Sequence, residues 1–484
     1  MDNRAFEMQE DGVAHSSANK HQHYRHHYEC GQEKKRPMSL MRIFLVCFLA
    51  CLITTAIGVL VLSLVYLVHF NPKSSHQSNP APEMDKIPPQ TGGDGSSNIT
   101  TESRVEPRFS FMSHLSKSKE FKFEGGTIQW ARYRNNLKEY TDDNEKEFGM
   151  SINNHQSQMT VGTLRIVSKG LRAPHWHFNA NEHGFLIQGK AWIGVVDDGN
   201  TVTTFNVTAG QVIFFPKNTL HWVKNVGDED CLFLLFFTTH DELKTLDVDD
   251  AFFLTPEDIA SRSLKPEGRV EFIRSFQKPK EDQAVNLPEN LVELIQTADY
   301  VQSNDSDVWK YFYDLKGSKE YIFPGGIIQW ARYRKNGAGL NNTEKIYSES
   351  VNMHSETLTL ATLQITSNGL RQPHFHFNAH EMGYVVSGCG QIGIVGDKPV
   401  PDFNVGIGDV FFFPIGTQHY IKSICDEDLF MVLAFSTGKQ LETLDMDDYF
   451  HATADHILAQ LFLKKQEEFK KIPKFPEDQA VNLP

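Results

Sequence analysis

From residue 160 onward the apolar positions come in short bursts that alternate or run continuously between turn residues. The bursts "TVGTLRIV" (160–167), "GFLIQGKAWIGVV" (184–196), "TVTTFNV" (201–207), "QVIFF" (211–215) and "CLFLLFF" (231–237) have the period and length of β-strands. The same series returns in the second half, from "TLTLATLQIT" to "LFMVLAF". Helical spacing comes late in each series. "TPEDIASR" (255–262) offers a Thr cap, Pro at the first helical position and acids behind it, and "TADHILAQLFLKKQEEFKK" (453–471) closes the chain's second series. The pattern predicts an all-β body made twice, each copy a barrel or two-sheet sandwich with a short helical appendage.

The repeat is explicit. "GGTIQWARYRNN" at 125 returns as "GGIIQWARYRKN" at 325, and "EDQAVNLP" at 281 returns at 477. A unit of this length is a whole domain rather than one turn of a solenoid. The expected organisation is a disordered tail over 1–42, an apolar span over 43–70 and a Pro/Ser/Gly-rich flexible stalk over 71–105. Two domains follow, at 106–288 and 289–484. The span carries no Asp, Glu, Lys or Arg, and it is longer than the roughly 20 residues needed to cross a bilayer. Lys34, Lys35, Arg36 and Arg42 precede it, and Lys73 follows closely. The positive-inside rule then predicts a single-pass signal-anchor with a cytosolic N-terminus and the domains outside or in a lumen.

Charge and cysteines refine this picture. The formal net charge is −14. The tail contributes a slight positive excess, so the body is strongly acidic, which argues against nucleic acid as a partner. N-x-S/T sequons begin at Asn98, Asn206, Asn304 and Asn341, all on the expected outer side. Of 6 cysteines, Cys231, Cys389 and Cys425 lie beyond the span, so at most one bridge can form among them. The His-rich stretch "HQHYRHH" (21–27) reads as polar tail.

The chemistry lies in a phrase written twice: "HWHFNANEHGFLIQG" from 175 and "HFHFNAHEMGYVVSG" from 374. In a strand, residues i and i+2 share a face, so His175 and His177 project together. Glu182 follows a polar turn and must arrive from the next strand. "GQVIFFPKNTLHWVKN" then supplies His221 after a Pro-marked turn. Three imidazoles and one carboxylate from different strands make a candidate metal cage. The second copy offers His374, His376, Glu381 and His419.

These strings resemble the two conserved elements of the cupin family, with Asn218 where the pattern has Gly and Ser423 replacing a final Asn. The resemblance covers roughly residues 106–484 and implies two tandem jelly-roll-like barrels. A duplicated chain with both ligand sets intact resembles the oxalate decarboxylase branch more than the seed-storage branch. That resemblance implies a carboxy-lyase using Mn2+, one ion per domain, with Fe2+ as the alternative and dioxygen as redox partner. It also implies a small carboxylate substrate and a possible homo-oligomer. It marks Arg172 as a substrate-binding and polarising residue, Arg371 as its counterpart, and Glu242, in the lid-like "FFTTHDELKTLDVDDAFF", as proton donor. The lid is shorter than the family's, and the four residues between His177 and Glu182 match germins, some of which are oxalate oxidases. In the second copy Gln440 stands opposite Glu242, with Glu442 two positions on. An oxidase on the same cage, or a non-catalytic surface or matrix binding protein, are the other readings.

Overall fold

The computed structural model describes residues 105–484 apart from Asp198, Asn200, Thr297, Asp305, Asp397 and Lys398. The expected tail, membrane span and nearly all of the stalk lie outside the described residues. Among the described residues no helix is long and apolar enough to cross a membrane.

The first half contributes strands β1 Met112–His114, β2 Phe121–Phe123, β3 Gly126–Ala131, β4 Thr160–Ile166, β5 Leu171–His177, β6 Glu182–Gln188 and β7 Lys190–Val196. It continues with β8 Val202–Thr208, β9 Val212–Phe215, β10 Leu220–Asn225, β11 Cys231–Phe237, β12 Thr245–Asp247 and β13 Val285–Asn286. The second half repeats them as β14 Phe312–Tyr313, β15 Tyr321–Phe323, β16 Gly326–Ala331, β17 Thr359–Ile365, β18 Leu370–His376, β19 Glu381–Ser387 and β20 Gly390–Val395. Strands β21 Pro399–Val405, β22 Asp409–Phe413, β23 Gln418–Ser423, β24 Leu429–Phe435, β25 Thr443–Asp445 and β26 Val481–Asn482 complete it. The long apolar run at 184–196 becomes two strands because Gly189, at φ 96°, turns the chain where a Cβ would be strained.

Each barrel pairs a seven-stranded with a six-stranded antiparallel sheet. The first has β14-β9-β6-β11-β4-β3-β2 against β12-β5-β10-β7-β8, with β13 also on β5. The second has β1-β22-β19-β24-β17-β16-β15 against β21-β20-β23-β18-β25, with β26 on β18. Side-chain alternation divides the core in three. Along β9, Ile213 points into the first barrel with Leu186 and Phe233, while Phe214 points the other way. There it meets Phe412 and Tyr347 in an apolar layer between the barrels. Ile392, Phe411 and Met431 fill the second barrel.

The expected boundary at 288/289 follows the repeat, but in space each barrel borrows a strand from the other half. Strand β1 pairs with β22, Met112 opposite Phe411 and His114 opposite Asp409. Strand β14 pairs with β9, Phe312 opposite Ile213. The loans cover edges that would otherwise present unpaired backbone. Met112 is fully buried, and His114 Nδ1 meets Asp409 Oδ1 at 2.7 Å.

The helices depart from expectation in detail. Thr255 does not cap the next helix; it ends the helix Val248–Leu254, its hydroxyl donating to the Ala251 carbonyl at 2.9 Å. Pro256 takes the N-cap place of Glu257–Leu264, and its ring offers no capping oxygen. The continuous helix expected over 453–471 is Asp455–Phe462 and Gln466–Phe469, broken at Leu463, which has φ 54°. Two further helices precede the barrels' main strands. Asp143–Asn154 is capped by Asp142, and Asn342–Met353 by a capping box of Asn341 and Glu344.

Cys389 and Cys425 form a disulfide, with a sequence separation of 36, between the turns that follow β19 and β23; Cys231 is buried and unpaired. A loop of that size restricts the unfolded chain, so Cys425→Ser should lower the free energy of unfolding by about 4 kcal/mol. Urea unfolding measures this. A loss under about 1 kcal/mol would mean that the bridge does not constrain the unfolded state.

Candidate metal centres

Strands β5, β6 and β10 bring the first candidate set together. His175 and His177 lie two apart on β5, Glu182 opens β6, and His221 on β10 pairs directly with His175. All four side chains are buried, and their nearest ligand atoms lie within 4.8 Å of one another. His374 and His376 on β18, Glu381 on β19 and His419 on β23 repeat the arrangement, with His374 opposite His419. The ring centroids of His175 and His221 are 4.2 Å apart, and those of His374 and His419 are also 4.2 Å apart.

Hydrogen bonds on the outer ring nitrogens orient the inner ones. His175 Nδ1 donates to the Ala173 carbonyl at 2.7 Å and His221 Nδ1 to the Thr219 carbonyl at 2.8 Å. A carbonyl can only accept, so each proton is on Nδ1 and each Nε2 lone pair faces inward. His177 Nδ1 meets Thr245 Oγ1 at 2.8 Å. The second centre uses the Gln372 and Thr417 carbonyls and Thr443 Oγ1 in the same roles. Phe215 stacks on His221 at 4.1 Å and Phe413 on His419 at 3.9 Å, locking both rings.

Glu182 Oε2 faces His177 Nε2 at 2.8 Å and His221 Nε2 at 3.2 Å. Burial, reinforced by the charge of Arg172, pushes His175 far toward the neutral form, and burial also lowers His177. Neutral imidazoles presenting lone pairs toward an ionised carboxylate repel one another until a cation sits among them. The donor set fits a divalent ion that accepts mixed nitrogen and oxygen ligands.

The two arginines lie close to the centres but are not free. Their odd spacing from the first histidine would turn them to the other strand face. An irregularity in β5 prevents this: Val223 pairs with Arg172 although His221 pairs with His175, so one residue of β10, Trp222, opposes two of β5, Ala173 and Pro174. Arg172 Nη1 then reaches Asp247 Oδ1 at 3.0 Å and the Ala284 carbonyl at 2.9 Å. Arg371 Nη1 does likewise with Asp445 at 2.7 Å and Ala480 at 3.0 Å.

Glu242 is not in hydrogen-bond contact with a cage residue. Its carboxylate accepts from Asn135 Nδ2 at 2.7 Å, and its carbonyl accepts from Asn179 at 3.0 Å. Asn378 holds Gln440 similarly at 2.8 Å in the second half. Arg132, beyond the end of β3, lies 4.7 Å over the Trp130 ring, and Glu242 is among the charges acting on it. Of the sequons, Asn206, Asn304 and Asn341 are exposed, and Asn98 lies outside the described residues.

Sequence reasoning missed the supporting residues: Thr245 and Thr443, Asp247 and Asp445, Asn179 and Asn378, and the Ala284 and Ala480 carbonyls. Their signal was duplication itself. "TLD" recurs at 245 and 443, "FNA" at 178 and 377, and "EDQAVNLP" places each alanine beside its arginine.

A family model described as "Cupin" matches residues 136–268 and again 335–467. One described as a CLLAC-motif containing domain matches residues 37–66, outside the described residues. The chain is 25% identical over 285 residues to oxalate decarboxylase OxdC of Bacillus subtilis (strain 168), covering 56% of this chain and 66% of that protein. It is 21% identical over 304 residues to a probable oxalate decarboxylase of Arthroderma benhamiae, covering 61% and 69%. Legumin type B of Vicia faba is 33% identical over 108 residues, 22% of each chain. In structure the chain is similar to Bacillus subtilis oxalate decarboxylase, a protein with Mn(II) centres. The TM-score is 0.60 at 18% identity, covering 77% of this chain and 89% of that one. A formate complex of Lactobacillus farciminis oxalate decarboxylase gives a TM-score of 0.59 at 19% identity, covering 75% and 96%.

Replacing Thr245 with Val keeps the shape of the side chain and removes the partner of His177 Nδ1. Metal affinity at the first centre should fall about 10–100-fold, with the second centre unchanged. Chelator competition resolves the two; equal affinities before and after would show that Thr245 does not orient His177.

Proposed function

Since the chain belongs to the cupin family, with one match in each half, we propose that it is a metal-dependent carboxy-lyase. Its substrate would be oxalate, cleaved to formate and carbon dioxide, or a similarly small carboxylate. The observation that carries the reading is the pair of buried three-histidine, one-glutamate sets, each with its outer nitrogens hydrogen-bonded. The decarboxylases among the relatives support the choice of substrate.

A Mn2+ or Fe2+ ion held by His175, His177, Glu182 and His221 would supply Lewis acidity and, with dioxygen as co-reactant, one-electron chemistry. The chain's own residues do the rest. Arg172 is anchored through Nη1, and the rest of its guanidinium is the group that would receive a substrate carboxylate. Asp247 fixes the guanidinium plane and compensates its charge in a buried setting. Breaking the C–C bond releases one carboxyl as carbon dioxide. The remaining carboxylate carbon must then gain a proton where its neighbour was, and Glu242 supplies it. For that the lid turn leaves Asn135 and swings toward the cage, a movement suited to a part-exposed loop. In the second half an amide, Gln440, replaces the acid, so that centre contributes metal-bound structure or a weaker site, with Arg371 as its anion-binding group.

The same reading anchors the protein in a membrane through residues 43–70, with the tail cytosolic and the barrels outside or in a lumen. The Cys389–Cys425 disulfide supports an oxidising compartment.

The full chain, loaded with Mn2+ and given 13C-oxalate in the presence of dioxygen, should release formate with little peroxide. Peroxide and carbon dioxide without formate would make it an oxidase, and untouched oxalate would sink the substrate assignment. Glu242→Gln should abolish formate release while metal content stays at the wild-type level. Formate production surviving in that variant would remove Glu242 from the mechanism.

A further inference from the structure

The outer face of the first barrel's six-stranded sheet carries an aromatic group with no counterpart in the second barrel. Trp192 on β7 and Trp222 on β10 have ring centroids 5.6 Å apart, and Tyr300 stands 5.6 Å from Trp192 on its other side. Trp222 lies flat because its cross-strand partner is Gly194, where any Cβ would collide with the indole. Trp192 is steadied by donating Nε1–H to the Val301 carbonyl at 2.9 Å. These rings are partly solvent-exposed, with Tyr300 43% exposed.

Directly opposite Trp192, on β8, is Asn206. Side chains paired this way across an antiparallel sheet stand about 5 Å apart on one face. Asn206 begins the sequon Asn206-Val207-Thr208, and both its asparagine and its threonine are exposed. Its backbone N–H is occupied by Gln302 Oε1 at 2.8 Å, so the strand is pinned while the side chain amide points outward. The second barrel is an internal control. There the pair is Gln391 opposite Asn404, and Asn404 is followed by Val405 and Gly406, which is no sequon. Tyr420 replaces Trp222 and binds Asp402 through its hydroxyl at 2.6 Å. Sequon and indoles are present together in one half and absent together from the other.

We infer that Asn206 carries an N-linked glycan whose first N-acetylglucosamine rests on the aromatic surface of Trp192, Trp222 and Tyr300. The axial C–H bonds of a pyranose match the negative face of an indole, and a sugar tethered to the opposite side chain loses little freedom in settling there. The donor is an oligosaccharide linked to a polyprenyl diphosphate, used by a membrane transferase. Asn206 Nδ2 forms a bond to the sugar's anomeric carbon, the bond from that carbon to the diphosphate oxygen breaks, and the amide proton leaves with the diphosphate. The inference rests on the outward topology proposed above. It adds that one sequon has a built seat for its sugar.

The test uses the full chain made in a eukaryotic secretory cell, with the Asn206 peptide examined by mass spectrometry. A second preparation carries Asn98→Gln, Ser306→Ala and Thr343→Ala, so that Asn206 keeps the sole intact sequon among the four. Trimming its glycan to a single N-acetylglucosamine should leave Tm unchanged. Complete removal should lower Tm by about 2–4 °C. Trp192→Gln, which introduces the residue found at the matching place in the second barrel, should erase that difference. A bare Asn206 in a wild-type chain glycosylated at Asn304 or Asn341 overturns the inference alone. No glycan at any sequon overturns it together with the outward topology. A glycosylated Asn206 whose removal leaves Tm unchanged overturns the seat.

Discussion

A buried, ionised carboxylate facing neutral imidazoles is the constraint around which each barrel is organised. Glu182 and Glu381 are buried, and the carbonyls that accept from the outer nitrogens of His175, His221, His374 and His419 leave lone pairs rather than protons facing them. Such an arrangement demands rigid walls. They come from strands hydrogen-bonded on both sides, phenylalanines stacked on His221 and His419, and threonines and carbonyls fixing each outer ring nitrogen. Fixing the tautomer from outside gives the inner nitrogens their direction, and only a framework of this stiffness can hold four converging groups that repel one another.

The cage was legible in the sequence because its ligands obey a local rule. Two histidines at i and i+2 must share a strand face, and the acid beyond a polar turn must come from the neighbour. The partners that make the cage work come from far along the chain, and no local rule announces them. Asp247 is 75 residues from Arg172 and Ala284 is 112. The arginine's orientation was hidden for a different reason. A strict two-residue period would have turned Arg172 away, and the irregularity in β5 that returns it leaves no mark in the composition of "LRAPHWH". The helices show the same limit. Thr255 and Pro256 form a plausible start signal, yet the hydroxyl was claimed by the preceding helix, a competition settled by chain geometry rather than residue preference.

Duplication left the two centres nearly superimposable in their inner contacts and let their surroundings diverge. The ring spacings, the threonine partners and the arginine–aspartate pairs are retained in both. The groups above the centres and on the outer faces are not. Glu242 faces Asn135, whereas the second half has Gln440 and Lys335 at those places. The disulfide occurs in the second half and the tryptophan pair in the first. Divergence has therefore been confined to positions that leave the metal-sized space untouched.

The exchanged strands have a consequence for how this molecule is made. During synthesis the first barrel has all of its ligand-bearing strands once Phe237 has emerged, but the edge of β9 stays bare until Phe312 and Tyr313 follow. Strand β1, among the earliest residues of the body, waits longer still, because its mate at Asp409–Phe413 is nearly 300 residues downstream. The first barrel's edge is filled soon after the second half begins, whereas the second barrel cannot close without a strand made before any other of its own. A chain cut at the repeat boundary would expose two sticky edges, and a ribosome that stops early would release a template for aggregation. Each copy now completes its sheet with a strand from the other, so the two barrels are joined by backbone hydrogen bonds as well as by sequence.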